Sequence, residues 1–175
     1  DPTDYAMINC LTKKLAASGK FSFMRMVRKG IVKVYEDGSD FEIGKGVTLK
    51  EGKDVTIIAS GIMVDEALKA EETLAAEGIS AKVIDMFTWK PIDEELIVAS
   101  AKETGAIVTA ENHQVKCGLG SAVAQVVAKN TPVPMEMVGV EDRFGQVGAQ
   151  NFLQEEYGLT AAHIVEAAKK AISRK

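Results

Sequence analysis

The sequence predicts an α/β fold with three layers, α/β/α, built on a five-stranded mixed and mostly parallel sheet. Three observations lead there. From residue 46 the pattern runs β-β-α-β-α-β-α-β-α-α, and strands that alternate with helices form parallel sheets covered on both faces. The run Val55–Ala59 (VTIIA) is apolar and β-branched without alternation, which suits a strand buried on both sides. The helical stretches each carry one apolar face and end in glycine or a polar cap.

Taken in order, the chain opens with DPTDYAMINCLTKKLAASGK. Asp1 or Thr3 is the candidate cap of a helix that puts Ile8, Leu11 and Leu15 on one face, and Gly19 ends it. No methionine starts the chain, and the stretch reads as the middle of a domain. Phe21–Val27 alternates as a strand does. Residues 36–44 are acidic and glycine-containing, a linker or surface loop. Val47 and Leu49 lie in a short strand, Glu51-Gly52-Lys53 reads as a turn, and Val55–Ala59 returns as the second arm of a hairpin. A helix over 63–77 follows, with Val64, Ala67, Leu68 and Leu74 inward and Gly78 as its stop. Ala81–Met86 is a strand. Asp93 caps the next helix, with Ile92 and Ile97 as a hydrophobic staple. Ala106–Ala110 and Pro134–Gly139 are the remaining strands, on either side of a helix over 119–129. Two helices close the chain. The last is capped by Thr160, stapled through Leu159 and Ile164, and buries Ile164, Val165, Ala168 and Ile172.

Hydrophobic residues make up 46% and charged residues 26% of the 175 positions, with a net charge of −4. Basic residues are scattered rather than striped, which argues against nucleic acid as a partner. The apolar runs are too short to span a bilayer, so no membrane association is expected. The two cysteines, Cys10 and Cys117, lie far apart without metal-ligand spacing. With no signal peptide evident, they fit a reducing cytoplasm.

Ligands of parallel α/β sheets gather outside the carboxyl ends of the strands. Ser60, Gly61, Asp85, Glu111, Asn112, His113 and the Val140–Phe144 loop fall there. The stretch ENHQVKCGLGSAVAQVVAKN concentrates the chemistry. His113 and Cys117 admit a nucleophile–base reading, but a buried small thiol at a helix start is the simpler one. Glu111 and His113 admit an acid–base reading, whereas a strand-end carboxylate more often satisfies loop amides. Gly118, Gly120 and Ser121 open a helix whose free N–H groups favour an anion. The glycines are an incomplete dinucleotide signature: six residues separate Glu111 from Gly118 and the third glycine is missing. Close helix–sheet packing is the simpler role for them. Trp89 reads as a core or interface aromatic at the same edge. Arg25 and Arg28 are either solvated or able to present a guanidinium to phosphate. Asp142-Arg143-Phe144-Gly145 reads as a turn with an anchored aromatic.

The segments GKDVTIIASG, VIDMFTWKPIDEELI, ENHQVKCGLGSAVAQVVA and VGVEDRFGQVGAQNFLQEEYGLTAAHIVEAA occur in the same order in the C-terminal part of transketolase. The whole chain resembles that part, most of all in transketolases split into two chains. The 1-deoxyxylulose-5-phosphate synthases and the β subunits of 2-oxoacid dehydrogenases share the architecture, and an independent anion- or nucleotide-binding α/β domain is a third reading. The resemblance implies that residues 1–35 are the last helix and strand of the pyrimidine-binding domain, 36–50 a connector and first strand, and 51–175 the C-terminal domain. It implies a cytoplasmic, dimeric enzyme of the pentose phosphate pathway that moves a two-carbon ketol unit between sugar phosphates with thiamine diphosphate and Mg2+. The cofactor motifs belong to an N-terminal section that would be this chain's partner, so no cofactor or metal site and no catalytic residue is expected within the chain. Isolated, the chain is expected to be inactive, serving domain positioning and dimerisation. The helix at 4–18, deprived of its sheet, is expected to be disordered or packed on a neighbour. Arg28 matches an arginine that contacts the substrate phosphate. Val27 precedes it and Lys29-Gly30-Ile31-Val32 follows, where family members often carry a glycine before and a proline after. Glu111, Asn112 and His113 would face a neighbouring domain or subunit.

Overall fold

The computed structural model of the protein describes residues 1–28 and 31–175. Lys29 and Gly30, part of the stretch expected to shape the Arg28 loop, lie outside them. The elements are α1 (Tyr5–Ala17), β1 (Val47–Lys50), β2 (Val55–Ala59), α2 (Met63–Ala76), β3 (Ala81–Asp85), α3 (Glu94–Thr104), β4 (Ile107–Gln114), α4 (Leu119–Asn130), β5 (Met135–Val140), α5 (Gln150–Glu156) and α6 (Ala161–Ile172). The strands form one five-stranded sheet in the order β1-β3-β2-β4-β5. Pairs β2–β3, β2–β4 and β4–β5 are parallel, and β1–β3 is antiparallel. The mixed three-layer α/β/α fold is therefore the one the alternating pattern foretells.

Two apolar layers sandwich the sheet. On one face Ile57, Val83 and Val108 pack against Val64, Ala67 and Leu74 of α2 and Ile164, Val165 and Ala168 of α6. On the other, Ile58, Ile84 and Ile107 meet Ile97 and Ala101 of α3 and Leu119, Val123 and Val127 of α4. The central strands β2 and β3 are buried at every position, so both alternating sets of side chains have a partner layer.

The hairpin expected over 47–59 does not form. β1 pairs with β3, with Val47 opposite Asp85 and Thr48 opposite Ile84, and β3 stands between β1 and β2. The cause lies at Gly52. A Cβ there would stand 2.2 Å from the Ala81 carbonyl carbon, and the amides of Lys53 and Asp54 both donate to the Ser80 carbonyl. The chain crosses tightly over the start of β3 instead of turning back on itself.

The N-terminal region also departs from expectation. The α1 cap is Asp4, whose Oδ1 accepts from the Met7 amide at 3.0 Å, not Asp1 or Thr3. The buried face carries Ala6, Met7 and Leu11; of the expected Ile8, Leu11 and Leu15, Leu11 is buried and the other two are half-buried. This helix is neither loose nor unpartnered: Met7 and Leu11 form a third apolar cluster with Phe41 and Phe87. Phe21–Val27 is not a strand, because no described segment offers it a ladder. At the other end, Thr160 precedes α6 but makes no side-chain cap bond. Its hydroxyl meets His163 Nδ1 at 2.9 Å, and the Ala161 amide donates to Glu66 Oε2 of α2 at 2.8 Å.

Candidate functional site

The carboxyl ends of β2, β3 and β4 meet at one edge. The connection after β2 leads to β3 on one side, and the chain then returns to β4 on the other side of β2. Such a reversal opens a crevice at the strand ends. Here the crevice is filled by the chain's own N-terminal segment. The Asp1 nitrogen donates to the Phe87 carbonyl at 2.9 Å. Asp1 Oδ2 accepts from Ser60 Oγ at 3.1 Å and from an Arg25 nitrogen at 2.8 Å. A second Arg25 nitrogen donates to the Asn112 carbonyl at 2.6 Å. Gly61 makes room: with φ at +56°, a Cβ there would stand 2.7 Å from Asp1 Oδ2.

Asp85, at the end of β3, is the second anchor. It is fully buried. Its Oδ2 accepts from Thr3 Oγ1 at 2.6 Å and from the Tyr35 hydroxyl at 2.9 Å, while Oδ1 has no partner among the described residues. Burial dominates and pushes its pKa up to about 7, against the opposing pull of the Thr3 and Tyr35 bonds. Burial and the neighbouring Asp85 in turn push the Tyr35 phenol well above its ordinary value. Asp4 ties the connector to α1, its Oδ2 accepting from the amides of Val34 and Tyr35 at 2.9 and 2.7 Å. Thr3, Asp4 and Tyr35 were invisible as site residues in the sequence. They act across separations of 30 to 82 residues, and no local pattern announces such pairs.

Glu111 is the third anchor and also buried. Its Oε2 accepts from the Leu119 amide and its Oε1 from the Gly120 amide, both at 2.7 Å. These are first-turn amides of α4, which lack partners within the helix. The carboxylate therefore occupies the place at which an external anion would bind. Burial raises the Glu111 pKa, opposed by those two amides and by the charges of His113 and Arg25. Gly118 admits this arrangement, since a Cβ there would lie 1.9 Å from Glu111 Oε2. Gly120 lies against Thr109 and Met137, and a Cβ would meet each at 2.9 Å. Ser121 Oγ accepts from the Cys117 amide and donates to the Val115 carbonyl.

Asn112 contributes its backbone carbonyl to the seam. His113 is partly exposed. Its Nδ1 lies 2.9 Å from the Gln114 carbonyl and 3.8 Å from Glu111 Oε2. Its ring meets the edge of Trp89 at 5.5 Å between centroids. Two expectations fail here. Cys117 is exposed, with φ at +65°, so it is not a buried thiol. His113 stands instead beside Glu111 and Trp89. Phe144 is not anchored either: it is 97% exposed, and the turn is held by Arg143, which pairs with Glu156 and covers the Tyr157 ring at 4.7 Å. Arg28 is exposed.

With this geometry in view, likeness to known proteins becomes specific. Residues 44–164 match the family described as Transketolase, C-terminal domain. The chain belongs to this family. The 6-deoxy-6-sulfo-D-fructose transketolase subunit of Clostridium sp. (strain MSTE9) is 46% identical over all of this chain and 54% of its own length. The putative transketolase C-terminal section of Methanocaldococcus jannaschii is 41% identical over 97% of this chain and 55% of its own. A solved structure described as a split gene transketolase, inactive beta4 tetramer, superposes with a TM-score of 0.94 at 49% identity, covering 99% of this chain and 56% of that one. The chain thus spans about half the length of the relatives it matches.

The residues described do not fit the thiamine diphosphate and metal that the resemblance implies. Among them, no group of three or more His, Cys, Asp or Glu is placed to hold a metal ion. The two α4 amides suited to a phosphate are taken by Glu111. The edge of this transketolase domain holds the chain's own N-terminal segment. Among the described residues, no helix is long and apolar enough to cross a membrane.

Proposed function

We propose that this chain is the C-terminal portion of a split-type transketolase and supplies domain positioning and dimerisation. The assembled enzyme transfers a two-carbon ketol unit between sugar phosphates in the cytoplasm. Thiamine diphosphate and Mg2+ are held by a separate N-terminal section, the partner of this chain, and the assembly is a dimer of such pairs. Arg28 contacts the substrate phosphate, and the chain alone is inactive. One observation carries this reading. The crevice where an α/β sheet would take a ligand is filled by Asp1 and Arg25, so the edge serves to seat a neighbouring segment. The names of the relatives, a transketolase subunit and a C-terminal section, support it. The test is to assay ketol transfer with the protein alone, with an N-terminal section alone, and with the two mixed, each with thiamine diphosphate and Mg2+. Activity confined to the mixture is expected. Turnover by this chain alone, or none in the mixture, overturns the reading.

A further inference from the structure

Arg25 ties the N-terminal segment to two strand ends at once. It reaches the Asn112 carbonyl near the carboxyl end of β4 and the Asp1 carboxylate that Ser60 holds after β2. Its guanidinium carbon lies 5.7 Å from the centroid of the Trp89 ring. A planar fork can serve two acceptors and an aromatic face together, which an ammonium cannot. Segment 21–28 has no strand ladder to fix its course. Met24 and Val27 only graze the apolar clusters, being partly buried. Arg28 follows three residues later on the same segment, at most about 10 Å of chain away. A shift of the segment at Arg25 is therefore passed to Arg28 with little slack.

We propose that Arg25 is a positioning residue for substrate: by pinning segment 21–28 to the ends of β2 and β4, it fixes where the Arg28 guanidinium meets the phosphate. This rests on the reading of Arg28 given above. The C-terminal domain then shapes phosphate recognition without touching the substrate.

The test uses the assembled enzyme and two acceptors, an aldose phosphate and the same aldose without its phosphate. Values of kcat and KM are measured for the unaltered protein, Arg28→Met, Arg25→Met and Arg25→Lys. Arg28→Met is expected to raise KM for the phosphorylated acceptor about tenfold or more and to leave the other within about twofold. Arg25→Met is expected to produce the same selective rise, about three- to tenfold, with kcat for the unphosphorylated acceptor nearly unchanged. Arg25→Lys falls between. If Arg28→Met is selective and Arg25→Met is not, or if Arg25→Met weakens both acceptors equally, Arg25 is merely structural and the inference is overturned while the Arg28 reading stands. If Arg28→Met shows no selectivity, the Arg28 reading falls and takes the inference with it. Should Arg25→Met not fold, Arg25→Lys decides: a KM ratio equal to that of the unaltered protein overturns the proposal.

Discussion

The α/β/α unit and the N-terminal segment are finished to different degrees. In the former, every position of β2 and β3 is covered by helices on both faces. The latter is finished on one side only. Its inner side is paired through Thr3, Asp4, Arg25 and Tyr35, of which Thr3 and Asp4 are buried and the other two half-buried. Its outer side presents Tyr5, Phe21, Phe23, Met26 and Val32, with Phe21 and Phe23 almost wholly exposed. Large exposed apolar surface of this kind marks a place that another surface can cover. The difference teaches that the centre of the sheet is closed by its own helices, whereas the N-terminal segment leaves large apolar side chains in water, as the loop bearing Phe144 and Val147 also does.

The largest expected effect tests whether the inner side of the N-terminal segment is where protonation is felt. The pKa of Asp85 rises from 3.8 to about 7 because it is buried. A raised carboxyl pKa means that the folded state keeps a proton the unfolded chain has lost. Its contribution to stability is full below about pH 4 and is lost as pH rises towards 7. Over that window the protein should lose on the order of 4 kcal/mol from this group. Glu111, also raised by burial, acts in the same direction. Asp85→Asn should flatten most of the slope in urea unfolding measured from pH 4 to 8. An unchanged slope would place the pH dependence outside the seam.

Next in size is Glu111→Ala. It leaves the Leu119 and Gly120 amides buried without an acceptor, at a cost of about 3 kcal/mol in unfolding free energy. It also vacates the anion position at the α4 start. Phosphate should then raise the melting temperature of the variant and leave that of the unaltered protein as it was. A phosphate effect of equal size in both would show that Glu111 does not hold the site. Gly118→Ala presses on the same place from the other side. The new methyl would collide with Glu111 Oε2 and the Gln114 carbonyl, and about 1–3 kcal/mol should be lost in thermal or urea unfolding. A neutral Gly118→Ala would mean that β4 and α4 can separate freely.

How much of this was legible in the sequence depended on range. The five strands, the order of helices and the Asp93 cap were visible because each rests on neighbouring residues: the Asp93 carboxylate accepts from the amide of Leu96. Glu111 sat in a conspicuous stretch, and its partners lie eight and nine residues on. The hairpin was misread because an apolar arm, a Gly-containing turn and a second arm look the same whether or not a third strand slips between them. The strand expected over 21–27 has the right alternation, but alternation supplies no ladder partner. Asp85 with Thr3 and Tyr35 was hidden because the three residues become neighbours only after the sheet and α1 have docked.

The smallest expected effect on stability is the sharpest on assembly. Phe21→Ser and Phe23→Ser remove side chains that touch water in this chain. Surface changes of this kind shift folding free energy by no more than about 0.5 kcal/mol. The double variant should therefore unfold at nearly the same urea concentration as the unaltered protein. If a partner section or a second copy covers these rings, the same variant should bind that partner measurably more weakly, read by sedimentation or by titration with an N-terminal section. A variant that folds normally and assembles normally would mean that the outer side of the segment is not the contact, and the exposed loop bearing Phe144 and Val147 would become the surface to alter next. A variant that loses stability instead would show that the outer side is already packed in solution, and the two regions would then differ less than their exposures imply.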